Sequence, residues 1–202
     1  MPLDRRDFVP PGTSCNACHK PLEKAYIEIL NGTEFYYGPD CAKAKFSSLS
    51  NCPNLTSAYY LASVAANTGG AGGSGGGTTS NDAKAYAYLL LRFDSLTKLD
   101  PVLGKNVYFS GLFKYFNAYR ASGSLTAPEI ANVLAIEANA PKKLKLKNLS
   151  DVYIAMRHID ELINSSQNNF AKGARTSLIN NLTLSPNLAK RLKVPVKSSA
   201  FK

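Results

Sequence analysis

Two cysteines three residues apart, Cys15 and Cys18 in "CNACHKPL", constrain this chain more than any other feature. A C-x2-C turn presents two thiolates to one ion through its own local geometry, before any tertiary packing is considered. Cys41, in "FYYGPDCAKAKF", falls near a predicted helix start, where the positive end of the helix favours a thiolate. Zinc takes four ligands in a tetrahedron. The fourth is assigned to Cys52, eleven residues beyond Cys41. An unbroken helix would separate the two by about 16 Å, so the helix has to end early, which "SSLSNCP" permits. His19 is the rival donor, awkwardly adjacent to Cys18, and a chain without metal is the third alternative.

Other uses of these cysteines fit less well. "CNACH" matches the c-type haem attachment string, but that chemistry goes with export, and "MPLDRRDFVPPG" lacks the apolar stretch of a signal peptide. A thioredoxin-like redox pair needs a preceding strand in a βαβ setting, and a zinc deaminase needs a His or Cys ligand upstream of Cys15; neither is found.

Around the cysteines, "AYIEIL", Asn31-Gly32 and "TEFYYG" read as a hairpin with a tight primed turn, and Pro39 and Asp40 open a short helix. A further apolar helix is expected over Leu55 to Ala66. "GGAGGSGGG", Gly69 to Gly77, reads as a loop or linker, since glycine loses the most backbone freedom on ordering. Beyond it the periodicity is helical. Tyr86, Leu89, Leu90, Phe93 and Leu96 form one buried face over Asp82 to Lys98. An aromatic helix runs from Ser110 to Arg120, Thr126 and Glu129 make a capping box for "TAPEIANVLAIEA", and a helix from about Leu149 to Asn164 carries the stripe Val152, Tyr153, Met156, Ile159, Ile163. Pro186 and Pro195 leave the last segment extended or frayed. The expected fold is mainly α with a small β-hairpin zinc module and a helical C-terminal domain. Its parts are 1–66, the zinc-binding hairpin module plus helix; 67–81, a glycine-rich linker or loop; 82–185, a basic helical domain; and 186–202, a basic tail.

The formal charge of +10 sits entirely in the second half: residues 1–80 carry six bases and six acids, residues 81–202 eighteen and eight, and no acid follows Glu161. One-sided positive charge suits a polyanion, most often nucleic acid. "APKKLKLKNL" gathers Lys142, Lys143, Lys145 and Lys147 to neutralise phosphates without reading sequence, and Lys190, Arg191 and Lys193 add to it further on. "YFSGLFKYFNAYR" interleaves rings with Lys114 and Arg120. Leu112, Phe113, Phe116 and Tyr119 share one helical face and are assigned to the core, which leaves Lys114 and Tyr115 nearer solvent. Phe35, Tyr36 and Tyr37 cannot all point inward along one strand, and Tyr37 is the candidate outward ring. Exposed rings beside positive charge are what unpaired bases need, whereas no predicted helix has the polar face of a duplex-reading recognition helix.

No catalytic set emerges. His158, in "AMRHIDEL", reads as structural, and the serines lack a nucleophile elbow, so no enzyme is expected. No apolar run approaches the roughly 20 residues that cross a bilayer, so no membrane partner is expected; with the cysteine usage this makes the expected location the cytoplasm.

Residues 15 to about 46 resemble the short treble-clef zinc modules, which pair a C-x-x-C knuckle with a glycine-containing turn before a third cysteine. The layout as a whole, carried by "CNACHKPL", "YYGPDCAKAKF" and "KKLKLK", resembles the single-stranded-DNA-binding RNA polymerase cofactors of N4-like bacterial viruses. That resemblance implies single-stranded DNA and an RNA polymerase as partners, the host cytoplasm as location, and recruitment of a viral polymerase to opened promoter DNA, on a fold unlike the usual oligonucleotide-binding barrel. It carries no site residue over. The expected function is a nucleic-acid-binding accessory protein preferring single-stranded DNA, in viral transcription. The alternative is a zinc-containing protein-protein adaptor docking on an acidic partner. A homo-oligomer is compatible with either.

Overall fold

The sheet grows from the hairpin. β2 (Lys24–Leu30) and β3 (Thr33–Tyr37) pair antiparallel with Leu30 opposite Thr33, so two residues close the turn. Asn31 sits at φ 49°, the left-handed conformation that a primed turn requires. This computed structural model describes residues 3–9, 12–31, 33–47, 49, 52, 81–166 and 169–194; Gly32, the helix expected over 55–66, the glycine-rich stretch and Pro195 lie outside them. Within the described residues the chain is mainly α with one small three-stranded sheet.

The third strand, β1 (Arg5–Phe8), pairs with the other side of β2, Arg5 opposite Ile27. The sequence pattern does not announce it. Its inward residues are Arg5 and Asp7, each 3% exposed, the reverse of the apolar alternation that marks a strand. The sheet's own apolar core is small: Val9, Ala25 and Ile27, with Leu22, Ile29 and Tyr36 against them. α1 (Pro39–Lys45) follows, with proline in the first helical turn, where its missing N–H is no loss.

The helical region is built on α2 (Asn81–Leu90), which continues through a π-helical turn (Leu91–Ser95) into α3 (Leu96–Leu99). The expectation of one buried face is exceeded: every residue from Ala85 to Arg92 is buried, as in a helix enclosed on all sides. The remaining elements are α4 (Pro101–Val107), α5 (Ser110–Ser122), α6 (Ala127–Asn139), a 3-10 turn (Lys142–Leu144), α7 (Leu146–Ser166), α8 (Asn169–Asn181) and α9 (Pro186–Arg191). α2 packs on α5, α6 and α7, and α7 pairs with α8.

Two expectations are corrected. Pro186 opens a helix instead of ending order: Ser185 caps α9 by accepting from the Leu188 N–H at 3.3 Å, and Leu192 and Val194 beyond it are buried in the main core. On α5 the phase differs from the expected one. Leu112, Tyr115 and Tyr119 face inward, Tyr119 stacking on Tyr86 of the central helix at 4.6 Å, while Phe113 turns out to 44% exposure.

β1 ties the sheet to the helices through buried charge. Arg5 meets four carboxylates: Asp4 at 2.5 Å, Glu34 of β3 at 2.8 Å, Asp7 at 3.3 Å and Asp94 of the π-helical turn at 3.4 Å. Lys98 pairs with Glu34 and Asp94, and Arg120 of α5 with Asp4. Tyr153 of α7 donates its hydroxyl to Asp7 at 2.7 Å, and Tyr119 donates to the Asp4 carbonyl at 2.7 Å. Burial opposes ionisation of Glu34, yet Lys98 and Arg5 outweigh it and pull the carboxyl down to about 2.

Candidate metal centre and aromatic cleft

The cysteine knuckle is shaped by its own main chain. The Cys15 N–H donates to the Lys20 carbonyl and the His19 N–H to the Cys15 carbonyl, both at 2.9 Å, with His19 in the left-handed region at φ 58°. Asn16 fastens the knuckle to β3: its N–H donates to the Tyr36 carbonyl at 2.8 Å, and its side-chain oxygen accepts from the Tyr36 N–H at 2.6 Å. β3 then passes through Gly38 into the first turn of α1, which carries Cys41. As a result the Sγ atoms of Cys15, Cys18 and Cys41 lie within 4.8 Å of one another, an arrangement that can hold a metal ion. Burial opposes ionisation of Cys15, but the N–H groups of Gly38, Cys18 and Ala17 face its sulfur and hold the thiol down at about 6. Cys41, hydrogen-bonded to Cys18 and Cys15, is pushed up to about 11.

Cys52 is not brought to them. α1 ends at Lys45 with Phe46 extended, as a fourth ligand there requires, but the chain then carries Cys52 toward β1. There burial, with Asp4 nearby, pushes its thiol up to about 12. His19 is exposed and also outside the cluster. Cys52→Ser is therefore expected to leave metal content unchanged in elemental analysis of the purified protein. Loss of one equivalent would put Cys52 back in the coordination sphere.

The expected nucleic-acid residues divide. Lys142 and Lys143 are exposed on the 3-10 turn. Lys145 donates to the Ala138 carbonyl at 3.0 Å and Lys147 pairs with Asp151 at 2.9 Å, so both are held on the protein. Arg120 is engaged by Asp4. Lys190, Arg191 and Lys193 are exposed at the end of α9, with Arg191 over the Phe170 ring at 4.0 Å. Tyr37 is buried, its hydroxyl donating to Glu28 at 3.1 Å beside Lys45, and so has no face for a base; strand alternation turns it inward. Tyr115 is 8% exposed, with the Lys114 ammonium 4.7 Å from its ring centre.

Tyr115 nevertheless lines a cleft of about 610 Å³, whose walls include Tyr88, Arg92, Phe109, Asn139 and Leu144. Leu144 belongs to the 3-10 turn, which puts Lys142 and Lys143 next to the rim. Outside it, Tyr108, Phe109 and Phe113 are 52%, 44% and 44% exposed. Tyr108 and Phe113 both pack against Phe93, at 5.6 and 5.7 Å, while Phe109 belongs to the cleft wall. Inside, Arg92 is 3% exposed, donates from Nη1 to the Tyr88 hydroxyl at 2.7 Å, and leaves Nε without a partner. Burial pulls this guanidinium below its ordinary value. An arginine inside the apolar run "AYAYLLLRF" is the one sequence sign of the cleft. His158 is half-buried on α7, its Nε2 2.9 Å from the Leu192 carbonyl.

No protein-family model, curated protein or solved structure matches this chain. Among the described residues, no helix is long and apolar enough to cross a membrane.

Proposed function

We propose that this chain is a single-strand nucleic-acid-binding protein with a structural zinc site, and that single-stranded DNA is its partner. The observation that supports it most is the set of exposed rings, Tyr108 and Phe113 packed together on Phe93 and Phe109 in the cleft wall, with Lys114, Lys142 and Lys143 also exposed. Rings offer sequence-tolerant stacking surface and the lysines neutralise phosphate, the combination that binds unpaired strands. Zinc suits the three-thiolate cluster, with a fourth donor completing the tetrahedron. The resemblance of layout supports a transcription accessory that meets an RNA polymerase on opened DNA.

Anisotropy titrations against single-stranded DNA, duplex DNA and RNA at two salt concentrations test the reading. Single-stranded DNA is expected to bind most tightly. Replacing Lys142 and Lys143 by Ala should make the logarithmic salt slope shallower by about 1 to 1.5, from about 0.7 per phosphate neutralised. Tyr108→Ala should cost about 1–3 kcal/mol per stacked base with little change in slope. Equal affinity for duplex and single strand, with an unaltered slope, would favour the adaptor reading, for which the exposed rings Tyr108 and Phe113, packed together on Phe93, offer an apolar docking surface.

A further inference from the structure

Stacking alone does not require a buried arginine with an idle donor, and the cleft contains one. Nη1 of Arg92 is spent on Tyr88, and Nε–H, which shares the other edge of the guanidinium with Nη2–H, is buried without a hydrogen-bond partner among the described residues. Neighbouring acids are committed elsewhere: Asp94 to Arg5 and Lys98, and Glu137 to the Leu146 N–H at 2.9 Å. A buried donor without a partner is costly, and the edge that Nε shares with Nη2 suits a ligand that brings two acceptors side by side.

The walls restrict that ligand further. A phosphate or carboxylate has the acceptors, but it is small and strongly hydrated, and would leave most of 610 Å³ to water against Phe109, Tyr115 and Leu144. Guanine presents O6 and N7 together on the edge of a flat ring, the pair an arginine fork matches best. Adenine sets an amino donor beside N7 and would face N–H with N–H. Thymine sets its N3–H between two carbonyls, and cytosine, which does hold O2 beside N3, brings a single ring that covers less of these walls than a purine does. We propose that the cleft receives one unstacked guanine of the bound strand, with O6 and N7 on the Nε–Nη2 edge of Arg92, ring surface from Phe109 and Tyr115, and the adjoining phosphate near Lys142 and Lys143. This rests on the strand-binding reading above and adds base selectivity to it.

The test uses the full chain and three single strands: a thymine oligomer, the same oligomer with one central guanine, and the same with one 7-deazaguanine, which lacks the N7 acceptor. The guanine strand is expected to bind about tenfold more tightly than the thymine strand, and 7-deazaguanine to lose most of that gain. In Arg92→Met the preference should vanish while the thymine strand still binds. Equal affinity for the guanine and thymine strands overturns the guanine site and leaves strand binding standing. A preference that survives 7-deazaguanine or Arg92→Met overturns it as well, and the 7-deazaguanine arm decides even if the variant misfolds. Should no strand bind, the strand reading itself fails. Guanosine monophosphate then decides the cleft: binding lost in Arg92→Met retains a guanine site, and no binding removes it.

Discussion

Cys15→Ser is expected to abolish metal binding and to unfold the sheet while the helical region stays folded. Cys15 is the buried member of the cluster, so its loss removes the ligand the fold encloses most fully and leaves two cysteines where three converge. Apart from the ionic hub at Arg5, the sheet has little to hold it. Its apolar core has three buried members, Val9, Ala25 and Ile27, each worth about 1–3 kcal/mol, whereas structural zinc in small modules supplies about 10–16 kcal/mol. Elemental analysis should give close to one zinc per chain for the wild type and close to none for the variant. Hydrogen exchange should show protection lost in β2 and β3 and kept in α2. Full zinc content in Cys15→Ser would place the metal elsewhere, and a protected sheet without zinc would show that the ion is dispensable for folding.

Arg5→Met should destabilise the protein by about 3–5 kcal/mol in urea unfolding, because it leaves four carboxylates close together with their shared cation removed. Arg5→Lys should recover only part of this, since an ammonium cannot reach several partners as a planar fork does. Glu34 gives the same hub a pH signature. Its carboxyl is held at about 2 in the fold against 4.5 ordinarily, so it contributes stability that is complete above pH 4.5 and is lost as pH falls from 4.5 to 2. Arg5→Met and Glu34→Gln should both flatten the acid limb in that window. A wild-type-like urea midpoint and acid limb for both would mean that the charges contribute no net stability.

Much of the fold is legible where the information is local. The C-x2-C spacing fixes the knuckle, Asn31 announces the hairpin, and Thr126 with Glu129 caps α6 as expected, the Thr126 N–H donating to Glu129 at 2.8 Å. What is not legible depends on neighbours. The end of α1 is readable, but no spacing encodes the direction the chain takes after Phe46, and that direction separates Cys52 from the cluster. α5 has rings on several faces, so periodicity offers two stripes of similar weight. Packing on Tyr86 and the central helix selects the one with Tyr115 and Tyr119 and sets Phe113 outside. Burial of Ala85 to Arg92 on every side erases the period that would have marked one face. β1 is hidden because its inward positions are charged, a pattern that makes sense only once Asp94 and Tyr153 are beside it.

That last arrangement has a consequence for the order of synthesis. Asp7 and Tyr153 are 146 residues apart, so at about 5–20 residues per second the ribosome delivers the strand about 7–30 s before its hydroxyl partner exists. An apolar edge strand waiting that long would invite pairing with other nascent chains. β1 waits with Arg5, Arg6 and Asp7 in water, where charge keeps it solvated, and Arg5 and Asp7 later dock on Asp94 and Tyr153, translated far downstream. The same charges that keep the strand soluble on its own become, once the helices have been made, the join between the sheet and the helical region.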